Sequence, residues 1–165
     1  MKTTYQKYFI VSILALVIAG CSRVPEIGII KDLNGITTTY SNIKPEEVYK
    51  KMNGENFNHN QIPLGESFEV INNSIHGLTE KDGNVSIGCS LKIKDKKGNV
   101  LLNEEDLFKE NAVYAKDSLN LLRCTVSTGS PMQYDEKYDV EIKYWDKFGD
   151  GTLENKMEIE MIDLP

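Results

Sequence analysis

Apolar and polar residues alternate with a period of two over most of the chain beyond residue 65, as in strands with one face in a core and the other in water. The cleanest run is residues 85–94, where Val85, Ile87, Cys89, Leu91 and Ile93 alternate with Ser86, Gly88, Ser90, Lys92 and Lys94. Leu122, Cys124 and Val126 alternate with Arg123, Thr125 and Ser127. Tyr138, Val140, Ile142 and Tyr144 alternate with Asp139, Glu141 and Lys143, and Met157, Ile159 and Met161 with Glu158 and Glu160. Upstream, Phe68–Ile71 opens a strand with Gly77 as a bulge near its end, the β-branched stretch Gly35–Ile43 forms another, and Ile29-Ile30 a first. Asp82-Gly83-Asn84, Asp95-Lys96-Lys97-Gly98-Asn99 and Asp146–Gly151 supply the turns between strands.

Two stretches predict helix instead. Pro45–Met52 has Pro at its start, acids in the first turn, lysines in the last, and Val48 and Met52 four apart. Asn103–Ala112 predicts one helical turn capped by Asn103, and Asn53–Gln61 a polar loop. The fold these elements predict is all-β: a single antiparallel β-sandwich, immunoglobulin-like or C2-like, with one or two short helices, over residues 34–165.

The chain start follows another rule. Lys2 and Lys7 precede the nearly uninterrupted apolar run Tyr8–Ala19, and Ile18-Ala19-Gly20-Cys21 closes it. A bilayer-spanning helix needs about 20 apolar residues, so this run predicts an export signal over residues 1–20. Ile18-Ala19-Gly20-Cys21 resembles the lipobox of bacterial lipoproteins. The resemblance implies cleavage before Cys21, a diacylglyceryl group on that cysteine and, after cleavage, usually a third acyl chain. It makes residues 21–33 a tether and the bilayer a partner through the acylated cysteine. Ser22, where an Asp would favour inner-membrane retention, implies sorting to the outer membrane. Ser22-Arg23-Val24-Pro25 has none of the acids that promote surface display in Bacteroidota, which implies a periplasm-facing protein of the cell envelope.

Charge narrows the partners. Loss of Lys2 and Lys7 with the leader takes the formal net charge from −6 to −8. An acidic surface without a basic stripe excludes nucleic acid as a partner and leaves membrane contact to the acyl chains.

Cys89 and Cys124 both fall on the apolar side of their strands. In an exported domain such a pair is either a disulfide, worth roughly 4 kcal/mol in the chain-entropy model, or two buried thiols acting as small hydrophobes. Asp146, Asp150 and Gly151 fit an EF-hand loop, but Phe148 and Met157 take two ligand positions, so the stretch predicts a hairpin and no metal. His59 and His76 lie in no metal spacing, and no nucleophile elbow, phosphate loop or Cys-x-x-Cys is present. These absences predict a non-enzymatic protein without cofactors. Trp145, facing outward by alternation, and Phe148 in the adjoining turn either anchor a partner or cover the end of the sandwich.

Gly77-Leu78, Asp95-Lys96-Lys97-Gly98 and Tyr138-Asp139-Val140-Glu141-Ile142 resemble the pattern of small β-sandwich envelope lipoproteins of Bacteroidota over residues 64–163. The resemblance implies a sandwich that binds another envelope protein, one version being the lipoproteins that anchor type VI secretion complexes. The alternative is a glycan or small-ligand module using Trp145.

Overall fold

The structure is a computed structural model and describes residues 24–31, 35–109 and 113–163. Cys21 and the leader lie outside the described residues. Among the described residues twelve strands form two facing sheets, an all-β sandwich whose strand pairs are antiparallel except for one short strand. In chain order they are β1 (Ile27–Lys31), β2 (Ile36–Ser41), β3 (Glu47–Met52), β4 (Glu55–Phe57), β5 (Gln61–Pro63) and β6 (Ser67–Asn73). There follow β7 (Asn84–Asp95), β8 (Val100–Glu104), β9 (Val113–Ala115), β10 (Leu121–Ser127), β11 (Lys137–Asp146) and β12 (Thr152–Ile162). The larger sheet runs β1-β2-β12-β11-β7-β8, with β5 parallel to the end of β12 and β9 against the start of β7. The smaller sheet runs β10-β6-β3-β4.

The alternation sorts residues between core and water. Ile87, Leu91 and Ile93 of β7, Ile142 of β11 and Ile159 of β12 meet Phe68 and Val70 of β6 and Val126 of β10 in one buried cluster. Burying each such side chain contributes about 1.5–3 kcal/mol, which selects this register, because a slip of one residue would turn every apolar side chain to water.

The helix expected over Pro45–Met52 is strand β3, paired with β4 and β6. Val48 and Met52 share a face in either conformation. What hid the strand is Lys50 between them, fully buried, donating from Nζ to the His59 carbonyl at 2.5 Å and Asn60 Oδ1 at 2.7 Å and lying over the Phe57 ring. Asn53–Gln61 is no plain loop: Asn53 and Gly54, at φ 51° and 88°, turn a two-residue hairpin into β4, and β5 follows. Asn103 lies within β8 rather than capping a helix, and the one 3-10 helix bounded among the described residues is Lys116–Ser118. Gly77 is not at a bulge. It follows β6 at φ 89°, where a Cβ would come 1.8 Å from the Asn42 carbonyl, so the close approach demands glycine. Ile27–Lys31, read as the end of the tether, pairs along its length with β2.

Candidate functional site

Trp145 projects from the outer face of β11, as alternation predicts, but it is half-buried. Its register partner on β7 is Gly88, and the indole lies so close over that residue that a Cβ there would sit 2.1 Å from the ring. One face of the ring is therefore spent on the sheet. Phe148, also half-buried, has the Lys81 ammonium 5.8 Å from its ring centre. The acids of this turn are equally engaged. Asp146 accepts the Thr79 N–H at 2.6 Å and the Phe148 N–H at 2.9 Å, and Asp150 accepts the Asn42 amide at 2.9 Å. Of the two carboxylates that fit a calcium loop, Asp150 holds the Asn42 side chain and Asp146 organises backbone. Asp106 performs the same task on the far edge of β7, accepting from Cys89 N–H at 3.2 Å, Phe108 N–H at 3.0 Å and Lys147 Nζ at 2.6 Å. Burial opposes its ionisation, but these donors outweigh it and hold the carboxyl below its ordinary range.

The interior carries a polar strip the sequence did not announce. Asn72 of β6 and Asn155 of β12 exchange amide hydrogen bonds across the sheets at 2.9 and 3.0 Å, and Asn155 donates to Thr38 Oγ1 at 2.8 Å. All three are fully buried. Beside them stand Cys89 and Cys124, buried free thiols on opposite sheets close enough to perturb each other's protons. The S–H of Cys89 stabilises a Cys124 thiolate and lowers that group, while the same contact and burial push Cys89 up. Tyr144, in register with Cys89, presents the one buried side-chain polar atom without a hydrogen-bond partner among the described residues. Burial, then the nearby sulfurs, hold its hydroxyl well above the usual tyrosine range.

The outer face of the larger sheet is a ladder of opposite charges. Lys94 meets Glu141 at 3.1 Å, and Lys96 meets Asp139 at 2.5 Å and Glu158 at 2.7 Å. Lys137 meets Glu158 at 2.9 Å, and Lys156 meets Glu154 at 3.0 Å. Two ammonium groups on one carboxylate hold Glu158 down to about 2. Where these charges are paired among themselves, a partner's charge must first break a pairing already made.

The edge at β1 is different. Ile27 and Ile29 are 73% and 65% exposed on one face of the strand, with Val24 just before them at 85%. Among the described residues no strand pairs with its other side. The Asn42 N–H donates to the Glu26 carbonyl, so by antiparallel alternation Gly28 and Ile30 bond to β2 while the amides of Ile27, Ile29 and Lys31 point away. A hollow of about 350 Å³ adjoins this edge, lined by Ile27, Ile29, Thr39, Ser41, Lys143 and Glu154 among others. Cross-strand contacts set the edge firmly: Lys44 to Glu26 at 2.6 Å and Glu26 N–H to Asn42 Oδ1 at 3.1 Å. The sequence gives the strand but not its place at the end of a sheet.

Among the described residues no group of three or more His, Cys, Asp or Glu could hold a metal ion. No protein-family model and no curated protein matches the sequence significantly. Among solved structures, the chain is similar to the crystal structure of the C-terminal domain of wzt, with 11% identity and a TM-score of 0.49, over 86% of this chain and 81% of that one.

Proposed function

We propose that this chain is a lipid-anchored, non-enzymatic β-sandwich of the bacterial cell envelope that binds another envelope protein through the open edge of β1. The observation that carries the reading is the pair Ile27 and Ile29, both largely exposed on a strand with an unpaired edge. Edge strands are ordinarily blunted by charge, proline or a bulge. Here Pro25 and Lys31 bracket the strand and leave two isoleucines uncovered between them. A partner strand added to this edge would take up the outward amides and cover the side chains, as in β-augmentation. If Cys21 carries the acyl chains, Ile27 follows six residues later, and a chain extends by at most about 3.5 Å per residue, so the edge stays within roughly 20 Å of the lipid. The partner would then be membrane-proximal, in keeping with an anchoring component of a secretion assembly of the type VI kind, at an outer membrane and facing the periplasm.

The test is co-purification from crosslinked envelopes. The wild-type chain retains a stoichiometric protein partner, and I27D/I29D loses it while its melting temperature and membrane association are unchanged. Retention of the partner by I27D/I29D rules out the edge. Cys21→Ser tests the anchor separately: the variant is released from membranes, and unchanged processing and retention would refute lipidation.

A glycan ligand is the second reading, favoured by the hollow where hydroxyls of Thr39 and Ser41 and the charges of Lys143 and Glu154 adjoin the same edge. Envelope glycans titrated against the purified chain would then change the fluorescence of Trp145, the single tryptophan, two residues along β11 from Lys143. An unchanged signal with every glycan rejects this reading.

A further inference from the structure

Cys89 and Cys124 stand apart from the edge and from the outer face, so what they do is independent of the binding reading. Each side chain enters the interior from a different sheet, Cys89 from β7 and Cys124 from β10, and both belong to one buried cluster. Both are held in rigid frames. The Cys89 backbone is fixed on one side by Tyr144 of β11 and on the other by the Asp106 carboxylate on its N–H and the Leu107 N–H on its carbonyl, the latter at 2.6 Å. Cys124 is in register with Val70 in the middle of the seven-residue pairing of β10 with β6. Two thiols that enter one buried cluster from rigid frames on opposite sheets have a high effective concentration for reaction with one another.

We propose that Cys89 and Cys124 form a dithiol that closes into an inter-sheet disulfide, bracing β7 to β10, by exchange with a disulfide-bearing oxidant. One cysteine thiolate attacks an oxidant sulfur and expels the other oxidant sulfur as a thiol, leaving a mixed disulfide. The second cysteine thiolate then attacks the first cysteine's sulfur and expels the remaining oxidant thiol. Two S–H bonds of the chain are exchanged for one S–S bond, and the two electrons and two protons leave on two oxidant thiols. Because both thiols are buried, the exchange takes place before the sheets close or when they open, and the folded sandwich then shields the bond from reduction.

The experiment refolds the full chain with oxidised glutathione, quenches in acid, denatures and alkylates with maleimide, and reads each cysteine by peptide mass spectrometry, which keeps Cys21 separate. Peptides joined through Cys89 and Cys124 are expected, with alkylation of both sites at least tenfold lower than after reduction. In Cys124→Ala, Cys89 should alkylate or carry glutathione, with no joined peptide. The oxidised wild type should unfold at higher denaturant than the reduced protein, a shift that C89A/C124A lacks. Full alkylation of both cysteines after oxidative refolding overturns the proposal, as does glutathione on each without a joined peptide.

Discussion

The two margins of the larger sheet's surface solve the same problem in opposite ways. On the outer face of β11 and β12, lysines and acids alternate across strands until each named cation meets a carboxylate within 3.1 Å. On β1, at the end of the same sheet, Ile27 and Ile29 stand beside Ser41 and Thr39 of β2 with no strand on their other side among the described residues, and they remain more than half exposed. A solvated face is built to stay in water, whereas exposed isoleucines on an unpaired edge are a cost to a free monomer and an asset to a complex. The difference directs the search for a partner to the edge and away from the broad face. Trp145, at the end of the ladder, has one face of its ring seated on Gly88.

The largest effect should come from spoiling the edge. Replacing both isoleucines by aspartate should weaken partner binding by about a hundredfold, near 2.7 kcal/mol, for two apolar anchors at an interface centre. Charge reversal on the ladder, as in Glu141→Lys, should leave binding within threefold in the same co-purification; comparable losses at both places would erase the contrast.

Next in size is the interior. Asn72→Leu strands the Asn155 carbonyl oxygen in the core and should cost about 1–3 kcal/mol in denaturant unfolding, whereas N72L/N155L should recover part of that loss because only the Thr38 hydroxyl then lacks its amide partner. Partner binding by the folded protein should not change in either variant. A single variant no worse than the double would show that the amide pair contributes nothing.

Smallest is the ladder's own contribution. Glu158 is held down to about 2 by Lys96 and Lys137, so its folded value lies below the ordinary glutamate range. Its stabilisation is therefore present above about pH 4.5 and is lost as pH falls through the folded value near 2. The carboxylate is 42% exposed, so solvent screens it and the effect is expected at about 0.5 kcal/mol or less. Glu158→Gln should lower the melting temperature slightly at neutral pH and low salt, and the gap should close at high salt or toward pH 2. A salt-independent gap would mean that packing, not charge, is involved.

The sequence was most readable where apolar side chains recur at every second position. β10 does so throughout, and β7, β11 and β12 do so over most of their length, although Ser86 and Gly88 are also buried on β7 and the polar Asn155 points inward on β12. β3 was misread because Lys50 occupies an inward position, and its burial depends on Phe57, His59 and Asn60, which a reading of local period does not bring to it. β4 had a sign in Asn53-Gly54, a hairpin dipeptide passed over inside a polar stretch. The inward direction of both cysteines followed from parity, but their meeting needed the sheet order. Trp145 was placed on the correct face, yet its seat on Gly88 depends on the β7–β11 register, which no single strand encodes. The open edge was illegible for the same reason, since alternation tells which side of a strand is apolar and not whether another strand lies beside it.

The central claim is tested most directly by placing a photocrosslinking amino acid at position 29 and, separately, at position 141, and irradiating intact cells. A discrete protein adduct at 29 with none at 141 is the predicted result. Adducts at 141 alone, or at neither position, would contradict the assignment of the β1 edge as the binding surface.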